Sequence, residues 1–320
     1  MSTNVAPFVT QPRLTQIAMA IKPEGMIADE VLPRVPVEAE KFIYTKFTTE
    51  EMFTIPDTKV GRTSEPNQVE FGAVDVTDST EDHGLDDVVP NKDIKSAQDS
   101  NANFDPREQA AENVAVLVAL AREQRVANLM FGLNTYAASL RTTLSGTSQW
   151  SDYANSDPIG ALMAAIDSML VRPTDITFGQ LAWTKFRQHP KVVAAILNKA
   201  GDNGGVSATG IATRQGVLDL LELRNLHVGQ SFGNVSKKGQ AASYARLWGK
   251  HCALLYVSAD LANADQPCFG FTAQFGTRIA GVMDEPRKGL RGGQILRVGE
   301  SVKEVISAPH SRYFFQNAVA

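Results

Sequence analysis

Two cysteines among 320 residues, Cys252 and Cys268, are too few for a disulfide framework, and they lack the second pair that a structural zinc site needs. Both read as reduced, half-buried thiols. The five histidines, His83, His189, His227, His251 and His310, are scattered, with no His-Glu-x-x-His spacing for a catalytic metal. No Gly-x-Ser-x-Gly elbow occurs, and nothing beside either cysteine would activate it. The glycine-rich run Gly201–Gly210 is not followed by Gly-Lys-Ser/Thr and misses the dinucleotide spacing, so it reads as a flexible loop without a phosphate cradle. No catalytic residue, metal ligand or cofactor contact is therefore expected. A soluble α+β enzyme survives as an alternative only with a site assembled from distant residues. No apolar run reaches about 18 residues, so no membrane-spanning helix is expected. Met1–Thr10 lacks the charged start and apolar core of a signal peptide, which places synthesis in a cytoplasm. The basic residues form no concentrated patch, against a dedicated nucleic-acid binder.

What remains is an ordinary globular composition, 43% hydrophobic and 21% charged, long enough for one large or two modest domains. The net charge of −4 conceals an asymmetry: residues 1–110 hold 10 Lys and Arg against 20 Asp and Glu, and the remainder holds 21 against 15. Such halves attract each other. Within one subunit that is a fold contact; between copies it steers assembly.

The longest element is predicted from Asp105 to Phe131. Asp105 is the N-cap, Pro106 takes the first helical position, Glu108 is placed to close a capping box, and Gly132 ends the helix. About 26 residues would span roughly 39 Å, well beyond an ordinary globular helix. Val114, Leu117, Val118 and Ala121 form one stripe, but Val116, Leu120, Ala127 and Phe131 lie off it, so the middle is apolar on nearly every side. Charge returns at Arg122, Glu123 and Arg125. Bare apolar surface of that extent has to be covered by other elements or other subunits.

Before this helix, the chain to about residue 25 reads as an arm carrying a short helical phrase, Leu14–Ile21. Met26–Val37 is punctuated by Pro33 and Pro36, which argue against helix and against a central strand. Lys41–Phe47 and Val69–Thr77 read as strands flanking a polar, turn-rich segment, a two-stranded excursion that needs a neighbour to rest on. Seven acids then fall between Asp75 and Asp93, with His83 among them. Their spacing matches no EF-hand loop, so they read as an acidic solvated or intersubunit surface.

After the helix, Tyr136–Leu144 reads as extended. Asp157-Pro158 caps a second helix with Ile159, Leu162, Met163, Ile166 and Leu170 on its core face. Asp175–Ala182 is a strand, Trp183–Leu197 a helix interrupted at His189-Pro190, and Gln215–Leu223 another helix. Leu226–Val228 and Leu254–Val257 suit inner strands of a mixed sheet, and Phe269–Phe275 and Gln294–Val305 alternate as strands. Trp183 and Trp248 read as core residues rather than stacking platforms.

Three phrases in this order carry a family resemblance. Leu14–Ala18 followed by Met26–Val37 and Tyr44, then Ile176–Trp183 with Phe186, His189 and Pro190, then Leu247–Lys250 leading into Leu254–Val257 with Pro267, Phe269 and Gly270, together resemble the tailed-bacteriophage major capsid proteins. The resemblance implies an α+β fold of the Hong Kong 97 type. Residues 1–37 would be the N-terminal arm and 38–93 an extended β-hairpin loop over an adjacent subunit. Residues 94–156 would form a peripheral domain with the spine helix at 106–131, residues 157–274 an axial domain, and 275–320 a return to the peripheral domain. It also implies self-assembly into pentamers and hexamers of an icosahedral head in the host cytoplasm. Portal and scaffolding proteins, a decoration protein in some members, and nonspecifically held double-stranded DNA would be its partners, with no membrane. Because the arm begins almost at Met1, scaffolding is expected as a separate protein and the mature N-terminus near the encoded one. A nanocompartment shell of the same fold is the nearest alternative.

On this reading the working sites are contact surfaces. The acidic stretch Asp75, Asp78, Glu81, Asp82, Asp86 and Asp87 is expected to meet Arg278, Arg287, Lys288, Arg291 and Arg297 across subunits, with Lys59 and Arg62 near the loop tip also at intersubunit contacts.

Overall fold

The computed structural model describes residues 9–21, 23–47, 55–68, 73–100, 104–199, 210–237, 239–257, 268–308 and 310–320. The expected strand start at Val69, most of the Gly201–Gly210 loop and the first eight residues lie outside them.

Two sheets share one long helix. The first sheet is built on β12 (Gly270–Glu285) and β13 (Gly293–Ile306), which pair antiparallel from Gly270 opposite Ile306 to Glu285 opposite Gly293. Register shifts between Phe275 and Ile279, where Gly276 takes a left-handed conformation that a side chain would strain. β5 (Glu81–Pro90) flanks β13, so the acidic stretch after residue 80 is a sheet strand. On the other edge, β1 (Val9–Thr10) and the parallel β2 (Arg34–Val37) both pair with β12, and Pro36 is tolerated there because that edge is open. The expected strand starting at Phe269 is longer than its alternation suggested.

The second sheet runs β6-β14-β11-β7-β8: β6 (Arg141–Thr143), β14 (Arg312–Gln316), β11 (Cys252–Leu255), β7 (Asp175–Gly179) and β8 (Asn225–Gly229). β11 is the inner strand that its apolar run predicted, while β8 closes an edge. One face is covered by α5 (Pro158–Ser168), α6 (Gln180–Arg187), α7 (Pro190–Lys199) and α8 (Arg214–Leu221). There Trp150, Trp183, Phe178, Phe186, Leu162 and Ile176 are fully or almost fully buried. The chain returns here at its end, since Phe315, Ala318 and Val319 join this core. Of the expected return segment 275–320, the strand Gly293–Ile306 lies in the first sheet and Arg312–Gln316 in the second. Met163 is exposed, so the core face of α5 is narrower than its spacing implied, and the exposed Leu170 lies beyond the helix end.

After the helix α3 (Asn91–Asp99), the long helix α4 (Pro106–Met130) joins the two. Asp105 caps it by accepting from the Arg107 amide at 2.9 Å, but no capping box forms, because the Glu108 carboxylate is 2.6 Å from Arg13 on α1 (Pro12–Ala20). Its first half, Ala110, Ala111, Val114, Ala115 and Val118, packs on Val282, Leu296 and Val298 of the first sheet and on Leu14 and Ala18 of α1. The alanines let the helix approach closely. Its last turns, Val126, Ala127 and Met130, pack with Trp248, Phe269, Phe314 and the second sheet's Ala253 and Leu255. β11 alternates accordingly, Cys252 and Leu254 facing one cluster and Ala253 and Leu255 the other. Leu117 and Ala121, expected in the buried stripe, are exposed, and positions 122 and 123 are buried instead.

Two more segments depart from expectation. Ala28–Val31 is a short helix, α2, despite the nearby prolines. Within Tyr136–Leu144 the 3-10 turn Ala138–Leu140 interrupts extended backbone, leaving only Arg141–Thr143 as a strand. The excursion is a real hairpin: β3 (Lys41–Phe47) pairs antiparallel with β4 (Ala73–Ser79), and its base rests on the first sheet where Phe42 and Tyr44 meet Phe271, Ala273 and Val305. A third, short ribbon joins β9 (Phe232–Asn234) to β10 (Tyr244–Arg246).

The helix therefore makes a sharp distinction between neighbours in its sequence. Met130→Ala is expected to cost about 2–5 kcal/mol through a buried cavity, and Leu117→Ala to stay within about 0.5 kcal/mol, read by chemical denaturation of the unassembled chain.

Candidate assembly surfaces and the buried node that positions them

Between the two halves of α4 lie Arg122 and Glu123, 2% and 1% exposed. Stepping from Ala111 through Ala115, Val118 and Arg122 to Val126 keeps to the helical period, so an arginine occupies a position of the buried stripe. Glu123 accepts from the backbone amides of Ile27 at 2.8 Å and Ala28 at 2.9 Å, and from the Trp248 indole at 2.6 Å. The Ser231 hydroxyl lies at 3.5 Å. Ile27 and Ala28 open α2, so Glu123 supplies the acceptors that its first turn lacks. This is why a helix forms between prolines. Burial pushes the Glu123 carboxyl above its ordinary value, opposed by these donors.

Arg122 reaches the other way. It pairs with Asp29 and donates to the Leu32 carbonyl at 3.2 Å and the Thr272 hydroxyl at 3.0 Å. Arg34 bridges Asp29 at 2.7 Å and Glu300 at 2.9 Å, and Arg278 reaches Glu300 at 3.0 Å and the Ala18 carbonyl at 2.8 Å. Burial would raise the Asp29 and Glu300 carboxyls, yet the arginines hold both below the ordinary range. Burial and the Arg34 charge together lower Arg122. The node ties the arm, α4 and the paired strands β12 and β13 into one unit.

A second clasp joins α2 to the second sheet. His227 on β8 bonds Glu30 through Nδ1 at 2.8 Å and Asp175 through Nε2 at 3.0 Å. Burial works to lower its pKa, but the hydrogen bonds and charges of Asp175 and Glu30 prevail and raise it.

The charged residues expected at subunit contacts separate into two groups. Several are engaged within the chain: Arg297 holds Asp86 through two bonds of 2.6 Å, Lys303 holds Glu81, Ser301 donates to Asp82, and Arg278 belongs to the buried node. The pairing of β5 with β13 sets Asp86 opposite Arg297 and Asp82 opposite Ser301, so these contacts lie within one chain. Such exposed pairs contribute about 0–1 kcal/mol each. Asp78 and Asp87 accept from the next residue's amide, both at 2.8 Å, and Asp75 sits on β4 opposite Thr45. The remainder are exposed: Lys59 and Arg62 in segment 55–68, and Arg287, Lys288 and Arg291 on the turn after β12. Among the described residues no cluster could hold a metal ion. Trp183 and Trp248 are buried, as expected of core residues, and both thiols are free and more deeply buried than expected.

Sequence reading noted Arg122 and Glu123 only as the point where charge returns. The period of the flanking Val118 and Val126 carried the signal.

A family model described as phage major capsid protein E matches residues 133–234. The chain is 45% identical over 315 residues to the major capsid protein of Pseudomonas phage JBD67, covering 98% of this chain and 99% of that one. In structure it is similar to a phage-related protein from Bordetella bronchiseptica RB50, at TM-score 0.73 and 20% identity over 98% of each chain. It is also similar to the capsid of cyanophage P-SCSP1u, at TM-score 0.55 and 10% identity over 93% of this chain and 89% of that one.

Glu123→Ala leaves three buried donors without an acceptor and is expected to destabilise the unassembled chain by roughly 3–5 kcal/mol, with Trp248 fluorescence reporting the loosened site. Glu123→Gln, which keeps one acceptor oxygen, is expected to cost less.

Because the folded-state pKa of His227 is raised, its contribution is complete below the ordinary value of 6.5 and is lost as pH rises through the higher folded value. Unfolding free energies between about pH 6 and pH 8 are expected to fall more steeply in the native chain than in His227→Gln.

Proposed function

This chain belongs to the family of phage major capsid proteins and has the Hong Kong 97 type α+β fold, and from that premise we propose that its copies form pentamers and hexamers of an icosahedral head around double-stranded DNA. The observation that carries the reading is 45% identity along 98% of the chain to the major capsid protein of a phage. Assembly from many copies of one chain makes its working parts contact surfaces. The fold supplies them: an arm fastened at α2, a hairpin that leaves the first sheet, and a helix joining two sheets. In this assignment residues 1–37 are the arm, 38–93 the extended loop with its returning strand, and the two sheets the peripheral and axial parts.

The shell holds DNA through nonspecific contact, since the basic residues gather into no patch shaped to grip a sequence. Portal and scaffolding proteins, and a decoration protein where one exists, are its further partners, and assembly takes place in the host cytoplasm. The protein has no catalytic role. A nanocompartment shell would use the same architecture, but full-length identity to a phage capsid protein favours the head.

The test is negative-stain microscopy and light scattering of the purified chain, alone and with the products of neighbouring genes. Closed particles or five- and six-membered rings are expected. A monodisperse monomer under every condition would contradict the assignment.

A further inference from the structure

One stretch of this chain carries no acid at all. Asp and Glu make up 35 of the 320 residues, yet none lies between Glu222 and Asp260, where Arg224, Lys237, Lys238, Arg246 and Lys250 fall. The bases there are not crowded; nothing beside them in the chain cancels their charge. Nor does the fold: Lys237, Arg246 and Lys250 enter no ion pair among the described residues.

This stretch holds the ribbon of β9 and β10. Asn234 stands opposite Tyr244 and Phe232 opposite Arg246, so these four side chains share one face of the ribbon. The face is uncovered, with Phe232 52% and Tyr244 71% exposed, and Lys237 is exposed in the loop at its tip. The ribbon is also held in shape. Asn234 Oδ1 accepts from the amides of Ser236 and Ser243, both at 3.1 Å, and from the Ser236 hydroxyl at 2.7 Å, which closes the loop. Gly233 lies on the other face, where a Cβ would come within 2.6 Å of the Leu247 side chain. The Arg246 guanidinium sits 4.2 Å over the Phe232 ring and donates to the Gln230 carbonyl at 3.2 Å, keeping its other donors.

We propose that this face of the β9–β10 ribbon binds the phosphate backbone of duplex DNA. Arg246 and Lys237 neutralise phosphates, the Tyr244 hydroxyl donates to one, and Phe232 keeps the Arg246 guanidinium in place. The inference rests on the shell reading above and names the part of the subunit that touches the packaged DNA. Phosphate is the ligand that the chemistry selects, because an acid-free basic surface draws in a polyanion, and arginine, lysine and tyrosine are donors suited to phosphate oxygens. Such contacts read no sequence, in keeping with a head that takes up any stretch of its genome.

The test is fluorescence anisotropy of a short labelled duplex with the full-length, unassembled chain across a salt series, with folding checked by circular dichroism. Lys237→Gln with Arg246→Gln is expected to weaken binding by about tenfold whatever the duplex sequence, and to lower the slope of log affinity against log salt by roughly 2. Lys92→Gln with Arg287→Gln, an equal loss of charge beside the first sheet, is expected to leave both unchanged. In DNA-filled particles, ultraviolet cross-linking is expected to join DNA to the peptide that holds Phe232 and Tyr244. Unchanged affinity and slope in the ribbon variant overturn the proposal. An equal loss in the Lys92 and Arg287 variant also overturns it, by reporting net charge alone. So does polyglutamate displacing the label more effectively than unlabelled duplex does, which would assign the face to an acidic protein segment. Particle formation is read separately: a native chain that binds duplex through the ribbon but forms no rings or particles would bring down the shell reading instead.

Discussion

The Glu123 carboxylate and the Arg122 guanidinium are neighbours on one helix, yet they bind opposite partners, and the rest of the structure hangs on that division. Glu123 holds the start of α2 and the Trp248 indole; Arg122 holds Asp29, the Leu32 carbonyl and Thr272. Buried charge is costly unless every lone pair and proton finds a partner. Here nearly all do, and the partners come from the arm, the long helix and the central strands. Their bonds therefore hold those three elements together.

The node sits where the long helix changes sheets. N-terminal to it, small residues seat the helix against β12 and β13; C-terminal to it, Val126 and Met130 enter the aromatic cluster under the second sheet. A helix packed on two sheets through apolar contact alone could slide along its axis by a turn with modest loss. Directional bonds at positions 122 and 123 fix the register, and His227 repeats the device at the second sheet by clasping Glu30. A shell subunit repeated many times needs such fixed angles between its parts, because an error in one copy is carried into every contact it makes. The surfaces that meet other copies are attached to this frame and owe their positions to it.

Much of the frame was legible in the residues. Asp105-Pro106 marked the start of the long helix, β-branched alternation marked β13, and the phrase around Trp183 marked a strand passing directly into a helix. The misreadings have physical causes. Arg122 and Glu123 were noted only as returning charge, and their distant partners, not their residue type, justify their burial. α2 was hidden by its prolines, because its cap comes from a residue almost a hundred positions away. The last strand, Arg312–Gln316, went unread, and nothing local in it specifies the partner strand. Composition showed that acid and base are shared unequally along the chain, but not which pairs meet within it. That depends on strand register, which brings Asp86 opposite Arg297.

Hydrogen exchange on the unassembled chain tests the central claim most directly. If the node fastens arm to helix, the Ile27 and Ala28 amides and the Trp248 indole N–H exchange as slowly as the middle of α4, and all three lose protection together in Glu123→Gln. Rapid exchange at Ile27 and Ala28 in the native chain, with α4 still protected, would show that the arm is not held there.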